Sequence, residues 1–128
     1  MSTDFRFPRE RRLRKRREFL GVQGRGRRLP GKAFQFFVLK RDDFGVANVA
    51  ARARFGITVT RKIGNAVIRN RIKRIVREGC RHLGDQFAPG LDVVVLARDG
   101  AQRTEAAAFR AELADLARRL GPSRPASR

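Results

Sequence analysis

Arg54-Phe-Gly-Ile-Thr-Val-Thr-Arg-Lys-Ile-Gly-Asn-Ala-Val-Ile-Arg-Asn-Arg-Ile-Lys-Arg-Ile-Val-Arg-Glu78 changes its hydrophobic period half-way along, and that change decides the architecture. Up to Thr60 the period is two: Phe55, Ile57 and Val59 share one side, while Arg54, Gly56, Thr58 and Thr60 share the other. This is a strand with one core-like face and one small, polar face, as in a sheet left half open. After Gly64 the period becomes helical. Asn65 is a candidate N-cap, and the spacing predicts a helix over residues 66–83. On a helical wheel Ile68, Ile72, Ile75, Val76, Gly79 and Leu83 fall within an arc of roughly 100°, and Arg69, Asn70, Lys73, Arg74, Arg77 and Arg81 fill a separate arc of roughly 140°. Arg71 points elsewhere. One face is a core stripe and its neighbour is a row of donors. The first amides of such a helix can receive a phosphate, and the donor arc prolongs that site for about three turns, a span suited to a folded RNA backbone. An ordinary solvated face mixes charges of both signs. Here Glu78 is the only acid between Arg61 and Arg81.

Outward from this segment, Ala33-Phe-Gln-Phe-Phe-Val-Leu39 reads as a strand, aromatic and β-branched, between Gly31 and Asp42-Asp43. Phe34, Phe36 and Val38 line one face, and Gln35, Phe37 and Leu39 the other. Both faces are largely apolar, so each requires cover or a ligand. Residues 41–51 read as a connecting loop. Leu91-Asp-Val-Val-Val-Leu-Ala-Arg98 is a third strand, and its β-branched run implies a central, buried place. A last helix is expected from Glu105 to Leu120, capped by Thr104, with Phe109, Leu113, Leu116 and Leu120 at helical spacing and Gly121-Pro122 as a stop. Near the start, a short helix is expected around Arg16–Val22, broken by Gly21, Gly24 and Gly26. Residues 1–15 read as a basic arm and residues 121–128 as a frayed, flexible tail. The 128 residues suit a single domain.

Charge limits the partners. With 31 Lys and Arg against 12 Asp and Glu, the chain carries +19, and a polyanion relieves the self-repulsion. Nucleic acid is the first candidate, because phosphate contacts release counterions; an anionic membrane surface is the second. Lys15, Lys32, Lys40, Lys62 and Lys73 are the only lysines, so arginine dominates, with a donor fork suited to phosphates and bases. Cys80 is the only cysteine and His82 the only histidine, so no intrachain disulfide, zinc cluster or His-based nucleophile arrangement can be built. Asp42 and Asp43 are the only adjacent acids and sit in a turn. No catalytic constellation emerges. The longest purely apolar run, Val93 to Ala97, is far too short to cross a bilayer. The charged N-terminus has no apolar stretch of a secretory signal, and a cytoplasmic location is expected.

The opening segment resembles the signature of the bacterial ribonuclease P protein family, through Arg54, Gly56, Val59, Thr60, Arg61, Lys62, Gly64, Ala66, Val67, Arg69, Asn70, Arg71, Lys73 and Arg74. Leu13, Glu18 and Phe19 look like the family's first-helix motif. The resemblance implies an α+β fold: a two-layer αβββαβα sandwich with helices packed on a small mixed sheet. It also implies an uncommon left-handed βαβ crossover, against the usual rule, as in the second domain of a small-subunit ribosomal protein. It implies a protein subunit that assists an RNA enzyme in removing the 5′ leader from precursor tRNA. No catalytic residue is then expected on the protein, and Mg²⁺ is bound mainly by the RNA. The implied partners are the catalytic RNA, met by one protein monomer, and precursor tRNA, with no membrane. Carried over by position, Arg61, Lys62, Asn65, Arg69, Asn70, Arg71, Lys73, Arg74 and Arg77 are assigned to the catalytic RNA. Phe19, Phe37, Arg54 and Thr58 are assigned to the single-stranded leader, in a cleft between the first helix and the open sheet face. The family often has a second aromatic four residues after the first-helix Phe. Gln23 stands there in this chain. A structural ribosomal protein or RNA chaperone shares the composition but not this signature, and a protein-only nuclease lacks its acid cluster.

Overall fold

The computed structural model describes residues 12–13, 16–40 and 52–121. The loop expected at 41–51, the rest of the basic arm and the tail beyond Gly121 lie outside them. Among the described residues seven helices and strands follow one another: α1 (Arg16–Arg25), β1 (Arg27–Pro30), β2 (Phe34–Lys40), β3 (Arg54–Thr58), α2 (Ala66–Leu83), β4 (Leu91–Ala97) and α3 (Ala106–Leu120). This is the αβββαβα order of an α+β sandwich, with short 3₁₀ turns at Gly84–Gln86 and Ala101–Arg103.

The sheet has the order β1-β2-β4-β3. β4 lies between an antiparallel β2, with Phe36 opposite Val95, and a parallel β3, with Ile57 also opposite Val95. The β-branched run Val93-Val-Val95 is wholly buried there, since its residues are covered on both faces and both edges. One face carries Phe34, Phe36, Val38, Phe55, Val93 and Val95 into the main core against α2 and α3. Phe34 meets Phe109 edge to face, with centroids 5.0 Å apart. On the opposite face α1 lies across part of the sheet, where Val22, Val94 and Leu13 form a second cluster with Phe19, Phe37 and Leu39 at its margin. Both apolar faces of β2 thus receive cover.

The expected helix over 66–83 is found with the same bounds, and Asn65 accepts a hydrogen bond from the Ile68 amide at 3.0 Å. Other expectations need correction. Gly21 and Gly24 do not break α1, which runs to Arg25 and ends only before Gly26. Helix-interior glycine costs about 1 kcal/mol each, and the burial of Val22 under the helix outweighs that. Thr104 does not cap α3: Glu105 occupies the cap position with no side-chain bond, and Thr104 is buried. The segment 27–30, for which the pattern gave no element, pairs with β2 as an edge strand, its Leu29 buried opposite Phe36. Arg12 and Leu13 are held rather than solvated: the Leu13 amide donates to the Phe55 carbonyl at 2.8 Å, and Leu13 is buried.

Two glycines carry opposite expectations. A Cβ on Gly79 would stand 2.5 Å from the Phe109 ring, whereas one on Gly21 would meet nothing. Gly79→Ala is therefore expected to destabilise by about 1–3 kcal/mol through overpacking. Gly21→Ala is expected to stabilise by about 0.5–1 kcal/mol through helix propensity. Urea denaturation of the two variants beside the parent checks both signs.

Candidate nucleic-acid interface

α2 presents its donors from a fixed base. Ile72, Val76, Gly79 and Cys80 are buried, and this locks the rotation of the helix about its axis. Asn70, Arg74 and Arg77 then face solvent, with Lys73 half exposed. Arg61 and Lys62 stand exposed on the preceding turn, which is pinned by the buried Ile63 and by its amide donating to the Thr60 carbonyl at 3.1 Å. Among the described residues, Arg61, Lys62, Lys73, Arg74 and Arg77 make no side-chain ion pair or hydrogen bond, so their charge is available to a partner.

Other members of the expected set are spent differently. Asn65 uses its side chain as the cap. Arg69 bends back to donate from Nε to the Gly64 carbonyl at 3.1 Å, bracing the turn that carries Arg61 and Lys62. Arg71 reaches away from the row and donates to the Thr104 carbonyl at 2.8 Å, strapping α2 to the start of α3. Arg81, at the end of the arc, pairs with Glu78 at 2.9 Å. Val67 was not singled out by charge, yet it is 77% exposed beside Asn70 and Arg74. An exposed β-branched residue in the first turn gains nothing from helix propensity.

Phe19, Phe37, Arg54 and Thr58 share the other sheet face. Phe19 lies against the bare backbone of Gly56: a Cβ there would stand 2.6 Å from the ring. Phe37 is half-buried, and Arg28 of β1 is its cross-strand partner, exposed on the same face. Thr58 is half-buried opposite Leu96. Arg54 is already engaged. Its Nε and Nη2 donate to the two Asp92 carboxylate oxygens at 2.9 and 2.8 Å, and Nη1 reaches Glu18 at 3.4 Å. The Asp92 hydrogen bond, against the opposing effect of burial, holds the guanidinium pKa above the ordinary arginine value. Stability from that raised pKa is present throughout the range below the unfolded value and is lost only as pH rises through the folded one. No physiological pH change therefore deprotonates Arg54. Arg54 acts as a strut between α1 and the sheet. The sequence signal was Asp92 itself, an acid inside an apolar strand, and the register sets it opposite Arg54.

A groove of about 300 Å³ lies beside the edge of β3, bounded by Arg12, Phe19, Lys73 and Arg77. A larger cavity of about 570 Å³ sits between α3 and the β1–β2 turn. Glu112 and Asp115 bring negative charge to its wall, and Glu112 fixes the turn by accepting from the Lys32 and Ala33 amides. Lys32 and Arg119 line it as well, so its charges balance and it has no cationic surplus. Among the described residues no group of three or more His, Cys, Asp or Glu can hold a metal ion, and no helix is long and apolar enough to cross a membrane.

A small mixed sheet whose one long helix turns a row of unpaired cations outward defines a nucleic-acid-binding α+β protein. Residues 7–121 match the ribonuclease P family. The ribonuclease P protein component of Gluconacetobacter diazotrophicus is 43% identical over 110 residues, covering 85% of this chain and 87% of that protein. That of Desulfovibrio desulfuricans is 39% identical over 122 residues, covering 94% and 90%. The solved ribonuclease P protein of Thermotoga maritima superposes with a TM-score of 0.71 at 34% identity, over 84% of this chain and 96% of that one. The chain belongs to the ribonuclease P protein family.

Asp92 is nearly buried and Arg54 about one-quarter exposed. Asp92→Ala should therefore destabilise by about 2–4 kcal/mol, toward the lower end of the range for breaking a buried pair. Glu18→Gln, at the long and more exposed end of the network, should cost less than about 1 kcal/mol. Chemical denaturation of both variants checks the order.

Proposed function

We propose that this chain is the protein subunit of ribonuclease P, acting in the cytoplasm as one monomer bound to one catalytic RNA. α2 docks on that RNA through Arg61, Lys62, Asn70, Lys73, Arg74 and Arg77. The face bearing Phe19 and Phe37 receives the single-stranded 5′ leader of precursor tRNA. The observation that carries this reading is the unpaired cationic row on a helix whose other side is locked in the core. Like charges held in one rigid row repel one another and are neutralised together by a phosphate backbone with little further ordering.

Each part of the surface has a separate task. The row supplies counterion release and hence salt-sensitive affinity. The half-buried rings supply stacking, which tolerates any base and so suits leaders of varied sequence. Gln23 stands where a further ring would extend the platform, and Arg28 beside Phe37 offers a guanidinium plane on the same face. Asn65, Arg69, Arg71 and Arg54 act at one remove, by fixing the elements that carry the contacting groups. Cleavage and the Mg²⁺ it uses belong to the RNA. The protein lowers repulsion between the two RNAs and favours precursor over product.

Reconstitution with the catalytic RNA and a leader-bearing tRNA is expected to lower the Mg²⁺ needed for cleavage; no change in rate or substrate affinity would overturn the proposal. Arg74→Ala with Arg77→Ala should weaken binding to the catalytic RNA and reduce the slope of log K against log salt by about 1–2. Phe37→Ala should leave that slope unchanged and narrow the preference for leader-bearing over mature tRNA by several-fold, in line with about 1–3 kcal/mol per stacked base. Equilibrium binding across a salt series, run with both tRNA forms, separates the two surfaces, and exchanged phenotypes would show them misassigned.

A further inference from the structure

The groove beside β3 joins the two surfaces, and we infer that it is a pocket for a single unstacked RNA nucleotide, its phosphate held by Arg12, Lys73 and Arg77 and its base or ribose seated on an apolar floor. This rests on the proposed function only in requiring that the chain bind RNA.

Among the described residues the sheet ends at β3, and Arg12 and Leu13 meet that edge where the Leu13 amide donates to the Phe55 carbonyl. Past that bridge the edge opens into the groove, between the arm and α1 on one side and α2 on the other. Phe19, Phe55 and Cys80 make much of the floor, and Phe55 is fixed by an edge-to-face contact with Phe87 at 5.3 Å between centroids. Cys80 is buried and small, and a larger residue there would encroach on the space. Among the described residues the charged groups of the rim are all cations: Lys73 and Arg77 lie one turn apart on α2, and Arg12 lines the groove from the arm.

Three observations select the ligand. Among the described residues no acid lines the groove, so a cation is unsuited. A volume of about 300 Å³ is at the small end of ligand pockets and suits one nucleotide rather than a duplex. The Nε of Arg12 is buried and has no hydrogen-bond partner among the described residues. A guanidinium N–H withdrawn from water without an acceptor is a poor arrangement unless an anion completes it. Charge at the rim with aromatic carbon beneath is the combination by which single-stranded RNA is held. A base turned into this groove would tie the RNA gripped by α2 to the strand on the Phe19 face.

The test uses the full chain with a fluorescein-labelled single-stranded hexaribonucleotide carrying one 5-iodouridine. Photocrosslinks are expected on peptides containing Phe19 or Phe55, and crosslinks confined to other faces would overturn the pocket. Arg12→Gln should weaken binding about five- to tenfold, while Lys32→Gln, which removes the same charge far from the groove, should change it less than about twofold. Equal effects of these two variants would reduce Arg12 to bulk electrostatics and overturn the assignment. Cys80→Leu, filling the floor without altering charge, should lose the crosslink while its melting curve stays cooperative. If it does not fold, the Arg12 and Lys32 comparison decides. Should Arg12→Gln bind like the parent while the Arg74, Arg77 double variant is weakened, the pocket fails and the proposed function stands. Should the parent not bind RNA at all, both fail.

Discussion

The burial of one stripe of α2 is the constraint from which the rest follows. Ile72 and Val76 face the sheet without any exposure, and Gly79 lets the Phe109 ring of α3 approach its bare backbone. These contacts leave the helix no freedom to rotate. With +19 on the chain, a helix free to turn would present its cations in no fixed direction. Instead the apolar contacts hold like charges side by side, and the strain of that arrangement is relieved only from outside. Packing on one side of the helix thus fixes the direction in which the other side presents its charges.

The same division of labour extends along the chain. Several charged groups that look like contacts in the sequence serve as internal fasteners in the structure: Arg54 to Asp92, Arg69 to Gly64, Arg71 to Thr104. Each leaves a neighbour free, with Arg61, Lys62 and Arg74 as the outward members. A basic chain of this kind needs both uses of arginine. The planar fork suits the first because it fits a carboxylate or carbonyl closely, and the second because it fits a phosphate in the same way.

How much of this could be read beforehand depended on range. α2 was legible to the residue because its signals are local: an Asn cap, a 3.6-residue stripe and a row of one charge. β4 was legible as central because a run such as Val93-Val-Val95 tolerates no other place. The edge strand at 27–30 was not, since Arg27 and Arg28 show no strand pattern and only pairing with β2 gives Leu29 its burial. The expected α1 stopped a turn short because glycine was weighed as a breaker, whereas the chain runs on to Arg25 and the Gly26 amide closes the last turn on the Val22 carbonyl at 2.8 Å. For the site, the family signature gathered residues that the structure puts to different uses, some facing outward and some bonded inside the fold. That distinction between Arg54 and Arg74 rests on what lies within 3 Å of each guanidinium, which depends on the register of β3 on β4.

The strand order also sets a schedule for synthesis. β2 and β3 are adjacent in sequence but meet only through β4, which the ribosome makes some thirty residues after β3. Until Leu91–Ala97 emerges, β3 has no strand to join it to the β1–β2 pair, and the stripe of α2 has no complete sheet to pack on. Native burial of the stripe is delayed to the last third of translation, so closure of the domain around β4 comes late.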